Sequence, residues 1–253
     1  MLRTAWLAMV AIFVTIPLST ATIFVAMFRS TTSPAIDWIV RTWGRFLVNA
    51  AGIDLRVENV ERIDPKQRYI LVANHYSYLD IPCIVAAVPQ PIRFMAKVSL
   101  FKIPIFGWAL ERAGFIPIDR QNRRTAVKSF DLAADRIRKG NTIVIFPEEG
   151  RSKTRGMRPF QRGAFLLALK SEKTIVPIAI DSTFDVFPVG AKRVTPARVT
   201  VRIGTPIETA GRSLRDKNAL LEEARTQVEK MLFGAPVTPA ASLASAPTQP
   251  DTE

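Results

Sequence analysis

Residues 69–80 of this chain read Tyr-Ile-Leu-Val-Ala-Asn-His-Tyr-Ser-Tyr-Leu-Asp, an apolar run that passes directly into a polar segment. The first five residues are typical of a buried strand, and Ser77 followed by Asp80 resembles the start of a helix. Further apolar runs alternate with helical patterns along the chain, at 55–60, 92–96, 115–118, 142–146, 175–180 and 199–203. This alternation predicts an α/β fold in which helices cover a mixed, largely parallel sheet.

Two of the intervening helices are well marked. One is expected between Asn122, a good N-cap, and Gly140, a good residue to follow a helix. Its apolar stripe is formed by Ala126, Phe130, Ala133 and Ile137. A second helix is expected over 213–233, because its apolar residues also recur at helical spacing.

The N-terminal region is uncharged from residue 4 to residue 28. As a helix at about 1.5 Å per residue, this run would reach roughly 37 Å, more than a hydrocarbon core of about 30 Å. A cleaved secretory signal is the alternative, but the run is longer than a signal core of roughly 7–15 residues. The single cysteine, Cys83, cannot form an intrachain disulfide, so nothing indicates an oxidising compartment. We therefore expect this segment to be retained and to associate with a membrane.

A second segment, 34–51, has apolar residues at helical spacing and is typical of an amphipathic helix. Because Pro17 divides the first segment, the two helices are expected either to lie in one leaflet or to include a single span. The predicted organisation is membrane-associated helices at 1–51, one α/β domain at 52–233 and a tail at 234–253. The tail is rich in proline and alanine and is expected to be disordered.

The formal net charge of +13 favours an anionic partner. Nucleic acid and an anionic lipid surface both satisfy that requirement, so charge alone does not choose between them. The apolar N-terminus favours the membrane. Basic residues close to an inserted segment tend to remain cytoplasmic, so the rest of the chain is expected on the cytoplasmic face.

His75, the only histidine, is the obvious candidate for acid–base chemistry near neutral pH. In one regular helix, positions i and i+5 are about 140° apart, so His75 and Asp80 would not face each other. They can meet if His75 lies in the loop after a strand and Asp80 lies in the first turn of the next helix. The carboxylate would then orient the imidazole for proton transfer. The alternative is a histidine that bonds only to backbone and an aspartate that caps a helix.

Several ordered motifs carry a resemblance to a known family. They are the Asn-His segment ending at Asp80, Lys97 followed by 103–108, the segments 114–120 and 146–152, and Val-Pro-Ile at 176–178. Together they resemble the 1-acyl-sn-glycerol-3-phosphate acyltransferase family. The resemblance implies that 52–233 is an acyltransferase domain. It also implies transfer of an acyl chain from a thioester, acyl-CoA or acyl carrier protein, to the sn-2 hydroxyl of lysophosphatidic acid, giving phosphatidic acid for phospholipid synthesis.

The resemblance also implies roles for individual residues. His75 would be the general base, and Asp80 its orienting partner. The phosphate end of the acceptor would be bound by a substrate site at Lys97, Arg120, Glu148, Gly150 and Arg151. Guanidinium groups suit that role because they bind phosphate oxygens in a bidentate way. No metal or cofactor is implied.

One motif departs from the family pattern. Where the family usually has Phe-Pro-Glu-Gly-Thr-Arg-Ser, this chain has Glu149-Gly150 in place of Gly-Thr. We expect Gly150 to restore the turn one residue later. The added carboxylate bears on acceptor identity, so another lysolipid, such as a lyso-ornithine lipid, is an alternative acceptor.

Rival classes are less well supported by the sequence. A serine hydrolase would need a Gly-x-Ser-x-Gly elbow, and the chain has none. One histidine and one cysteine leave few ligands for a transition metal. A non-catalytic basic protein that binds membrane or nucleic acid remains the rival from another class, although no nucleic-acid motif is recognisable.

Overall fold

The computed structural model describes residues 2–119 and 123–234, with the backbone alone for 123–127. Within those residues the helices are α1 Leu2–Ala26, α2 Pro34–Ala51, α3 Asp80–Ala87, α4 Phe106–Ala113, α5 Arg123–Arg138, α6 Gly163–Ser171, α7 Thr183–Val186 and α8 Lys217–Phe233. The strands are β1 Asp54–Glu58, β2 Ile70–Ala73, β3 Ile92–Lys97, β4 Ile116–Ile118, β5 Thr142–Ile145, β6 Ile175–Asp181 and β7 Arg198–Ile203. Each strand lies within one or two residues of an apolar run that the sequence marks.

The strands form one sheet in the order β1-β7-β6-β2-β5-β3-β4. Every neighbouring pair is parallel except β6 with β7. Alternate residues of β2 enter different apolar clusters: Leu71 packs with α2 and α3, and Ile70 packs with α6 and α8. The predicted α/β fold with a mixed, largely parallel sheet is confirmed.

The two predicted internal helices are present, with differences at their first residues. Helix α5 begins at Arg123, and its predicted N-cap, Asn122, lies outside the described residues. The segment expected over 213–233 starts as a short 3-10 turn before α8, because Ser213 and Asp216 form a capping box there. The predicted tail, 234–253, lies outside the described residues apart from Gly234.

Helix α2 has the predicted bounds, 34–51. The Ser33 side chain accepts a hydrogen bond from the Ala35 N–H, and Gly52 ends the helix in the left-handed region at φ 72°. Residues Ile36, Leu47, Val48 and Ala51 are buried in the same cluster as α3. Helix α2 is therefore built into the core, and the boundary predicted at residue 51 remains a prediction.

Arg93 ties α2 to the sheet from a fully buried position in β3. Its Nη2 donates to the Asp37 carboxylate at 2.8 Å and to the Thr31 carbonyl, while Nε and Nη1 donate to the carbonyls of Ala113 and Ile92. A buried guanidinium is tolerated only when its donors are paired in this way. The network fixes α2 and the segment before it against the domain.

Helix α1 packs along α2, where the Trp43 indole N–H donates to the Thr15 hydroxyl at 3.0 Å. Among the residues that the structure describes, α1 is the one helix long and apolar enough to cross a membrane. Many of its large apolar side chains are exposed, including Trp6, Ile12, Phe13, Ile16 and Phe24. Such a surface suits contact with lipid.

Candidate active site

The candidate site lies at one edge of the sheet. Strands β6, β2, β5, β3 and β4 run in the same direction, so their carboxyl ends meet at that edge. The chain leaves β2 at Asn74 and His75, β5 at Phe146, and β3 at Lys97. Ligand sites of open α/β sheets gather at the carboxyl ends of such strands.

Asn74 fixes the point where the chain leaves β2. Its buried amide donates to the Ile180 carbonyl at 2.9 Å and accepts from the Ile180 N–H at 2.7 Å. The side chain thus takes the place of a further main-chain pair between β2 and β6. His75 is thereby released from the sheet at a defined position.

His75 and Asp80 are brought together by the strand, loop and helix arrangement. Asp80 is the first residue of α3, and its Oδ2 lies 2.7 Å from His75 Nδ1. The same oxygen accepts the N–H groups of Tyr76 and Ser77 at 2.7 and 2.8 Å. The other oxygen, Oδ1, accepts the Thr183 hydroxyl at 2.5 Å. An ionised Asp80 carboxylate can accept all four of these hydrogen bonds. His75 Nδ1 is then a donor, so the proton of the neutral imidazole lies on Nδ1.

The His75 ring is held in one plane by aromatic packing. It stacks on Phe146 with ring centroids 4.0 Å apart and an interplanar angle of 14°. Phe94 also stacks with Phe146, with ring centroids 5.9 Å apart. His75 Nε2 makes no hydrogen bond to the part of the chain that the structure describes, so it is free to accept a proton.

The segment 146–152 brackets the backbone of His75. The His75 N–H donates to Glu148 Oε1 at 2.7 Å, and the His75 carbonyl accepts the Ser152 N–H at 2.8 Å. The second Glu148 oxygen accepts the Arg158 N–H at 2.7 Å. Both oxygens of the buried Glu148 are therefore bonded to backbone. The geometry favours a positioning role for Glu148 over direct contact with the acceptor phosphate.

Burial raises the pKa of Glu148 to about 7, although the N–H groups of Arg158 and His75 oppose this shift. Because the folded carboxyl binds its proton more tightly than the unfolded one, the stability it contributes is present at low pH. That contribution is lost as the pH rises from 4.5, the ordinary value, to about 7.

Replacing Glu148 with glutamine is expected to destabilise the fold by about 1–3 kcal/mol, because the new NH₂ group must face a backbone N–H. Glutamine does not titrate, whereas the wild type loses the contribution of Glu148 as the pH rises. The difference in the free energy of unfolding between the two proteins should therefore be smaller at pH 8 than at pH 5. Thermal unfolding in detergent at both pH values measures this. A difference that widens with pH would show that the folded protein prefers Glu148 ionised.

The turn after Glu148 corrects one expectation. Glu149 itself has the left-handed backbone, at φ 54°, and Gly150 is not among the residues with positive φ. The left-handed residue therefore comes one position before the glycine, at the end of a tight turn that the Glu149 N–H closes on the Phe146 carbonyl at 3.1 Å. A Cβ at Gly150 would lie 2.4 Å from Arg158 Nη1, so a larger residue there would require the end of the Arg158 side chain to move.

Arg151 reaches the site through an aromatic contact. Its guanidinium carbon lies 3.3 Å from the centroid of the Tyr78 ring. Arg151 Nη1 is covered by protein and has no hydrogen-bond partner within the described chain. Lys97 is exposed at the end of β3, on the same edge of the sheet. Arg120, also predicted here, lies outside the described residues.

The structure adds residues that the sequence did not single out. Thr183 bonds Asp80 from 103 residues further along the chain, and no local pattern marks it. Ser152 and Phe146 lie within a recognised motif, but their contacts with His75 depend on β5 lying beside β2. Among the described residues, no group of three or more potential metal ligands comes together.

The chain is similar to known acyltransferases in sequence. A family described as Acyltransferase matches residues 54–181. The chain is 32% identical over 164 residues to a chloroplastic 1-acyl-sn-glycerol-3-phosphate acyltransferase of Brassica napus, covering 64% of this chain and 46% of that one. It is 32% identical over 176 residues to the alpha form from Mus musculus, covering 69% and 62%. The chain thus spans about half to two thirds of the length of these relatives.

A solved structure has the same architecture. The crystal structure of the 1-acyl-sn-glycerophosphate acyltransferase PlsC from Thermotoga maritima superposes with a TM-score of 0.77. The two sequences are 25% identical, and the match covers 91% of this chain and 95% of that one. The similarity therefore extends over nearly the whole of both chains.

Proposed function

This chain belongs to the acyltransferase family, and we propose that it transfers an acyl chain from a thioester to the sn-2 hydroxyl of lysophosphatidic acid. The product would be phosphatidic acid, a precursor for phospholipid synthesis. The names of the relatives support the choice of acceptor. The observation that carries the proposal is the 2.7 Å contact between His75 Nδ1 and Asp80 Oδ2, which leaves Nε2 free.

The proposed reaction is direct transfer. His75 Nε2 takes the proton of the acceptor hydroxyl as its oxygen forms a bond to the thioester carbonyl carbon. Asp80 stabilises the imidazolium that results. The tetrahedral intermediate then expels the thiolate as the carbon–sulfur bond breaks, and the imidazolium returns the proton to sulfur. The step as written needs no covalent enzyme intermediate.

The acceptor phosphate is proposed to bind beside Arg151, with Lys97 and Arg120 assisting. Arg151 is two places from Glu149 and next to Ser152, which is bonded to the His75 backbone. Its guanidinium carries planar N–H donors that suit phosphate oxygens in a bidentate way. Removal of this guanidinium should therefore affect acceptor binding more than donor binding.

Arg151→Ala is expected to raise the KM for lysophosphatidic acid by about 10–150-fold, the usual range for a lost charge-assisted hydrogen bond. Steady-state kinetics with each substrate varied in turn measures the effect. Arg155→Ala is the matched control, because Arg155 is an exposed arginine of the same loop that pairs with Asp185. If only the KM for the thioester rises, Arg151 binds the donor and not the acceptor.

The acceptor and the donor are tested together with purified protein. A panel of lysolipids, including lysophosphatidic acid and a lyso-ornithine lipid, is incubated with acyl-CoA and with acyl carrier protein thioester. We expect phosphatidic acid as the main product. Preference for the lyso-ornithine lipid would assign the acceptor differently, in line with the Glu149 departure. Salt-sensitive duplex binding with no acyl transfer would favour the non-catalytic rival.

We further propose that α1 and α2 hold the protein on the cytoplasmic face of a membrane. The exposed apolar side chains of α1 and the basic surface support this placement. Full-length protein should stay with membranes through a high-salt wash and be released by detergent, because apolar insertion does not depend on ionic strength. Recovery in the soluble fraction without detergent would contradict the anchoring role.

A further inference from the structure

We infer that Tyr78 is a positioning residue that holds the Arg151 guanidinium ready for the acceptor phosphate. This inference rests on the proposed function and deepens it. Tyr78 lies between His75 and Asp80 in sequence, but neither the dyad nor the sheet requires an aromatic side chain there. Its ring is 63% exposed, so packing in the core does not explain it.

Both partners of the stack are fixed relative to His75. The N–H groups of Tyr76 and Ser77 are bonded to Asp80, and the Leu79 N–H donates to the Ser77 hydroxyl at 3.2 Å. The backbone on either side of Tyr78 is therefore held. On the other side, the Ser152 N–H is bonded to the His75 carbonyl, which holds the backbone next to Arg151. The stack thus joins two loops that already bracket His75.

The contact with Tyr78 uses none of the hydrogen-bond donors of Arg151. The guanidinium carbon lies 3.3 Å from the ring centroid, and a cation–π contact is made by the charge of the group, not by its N–H donors. Phosphate oxygens bind arginine in the plane of the guanidinium. Nη1 is covered by protein, so phosphate binding is assigned to the remaining N–H donors of Arg151.

The test compares two substitutions at Tyr78. Tyr78→Leu removes the aromatic face and is expected to raise the KM for lysophosphatidic acid by about 2–5-fold, the range for loss of a cation–π contact at an exposed site. Tyr78→Phe keeps the aromatic face, so its KM for lysophosphatidic acid should stay close to that of the wild type. The turnover number and the thioester KM should change little in either variant. Phe184→Leu is the matched control, since it removes the ring beside Arg155 at 5.5 Å instead.

A double-mutant cycle shows whether Tyr78 acts through Arg151. In the Arg151→Ala background, Tyr78→Leu should have almost no further effect on the acceptor KM. Full, independent effects of both substitutions would overturn the inference. An unchanged acceptor KM in Tyr78→Leu would also overturn it. So would an acceptor KM in Tyr78→Phe that is raised as much as in Tyr78→Leu.

A binding measurement separates this inference from the proposed function. Glycerol 3-phosphate is titrated into the full-length protein in detergent, and the arginine guanidinium signals are followed by NMR. Tyr78→Leu should weaken the binding of glycerol 3-phosphate by the same factor of about 2–5. If the wild type transfers no acyl chain, the proposed function fails, while this titration still decides the role of Tyr78. Equal binding by wild type and Tyr78→Leu would refute that role alone.

Discussion

Replacing His75 with alanine is expected to lower the turnover number by about 10²–10⁴-fold, the usual contribution of a general base. The chain contains no second histidine that could take its place. The backbone bonds from His75 to Glu148 and Ser152 do not involve the side chain, so the loops around the site should keep their positions. The KM for lysophosphatidic acid should therefore change little.

Steady-state kinetics of the purified His75→Ala protein checks this, with thermal unfolding as the control for folding. Loss of the ring also removes its stacking on Phe146, so a modest fall in stability is expected. A fall in turnover that tracks only a loss of folded protein would show a structural role for His75.

The second large effect concerns the fold. Arg93→Met is expected to destabilise the protein by about 3–5 kcal/mol, the usual result of removing one partner of a buried ion pair. The substitution would leave the Asp37 carboxylate without its cation and would remove the Arg93 donors of three carbonyls, those of Ala113, Ile92 and Thr31. Because Asp37 is in the first turn of α2, the N-terminal helices should loosen from the domain.

Thermal unfolding in detergent measures this effect, and Arg198→Met is the matched control. Arg198 also pairs with an aspartate, Asp54, but both side chains are largely exposed, so the control should change little. Equal effects of the two substitutions would show that the buried network does not hold α2 in place.

The strands and helix α2 were predictable because each is marked by a local pattern. Every strand coincides with an apolar run, and α2 is bounded by Ser33 before Pro34 and by Gly52. The His75–Asp80 contact was also predictable, since it spans only the end of a strand and the first turn of a helix. Short-range features of this kind need no knowledge of the sheet order.

The rest of the site depends on which strands are neighbours. Because β5 lies beside β2, Glu148 bonds the His75 backbone, which periodicity along the chain does not indicate. Thr183 reaches Asp80 because β6 lies on the other side of β2. The left-handed residue was predicted one position late, because Gly150 is the residue for which such a backbone is easy, whereas nothing local in the sequence marks Glu149 for it.

The central claim, that His75 and Asp80 act as one catalytic unit, is tested most directly by the turnover numbers of four purified proteins. These are the wild type, His75→Ala, Asp80→Asn and the double variant, assayed with lysophosphatidic acid and an acyl thioester. Both single variants should lose about 10²–10⁴-fold, and the double variant should be little worse than His75→Ala. Near-normal turnover by His75→Ala, or a double variant whose loss is the product of the two single losses, would contradict the account.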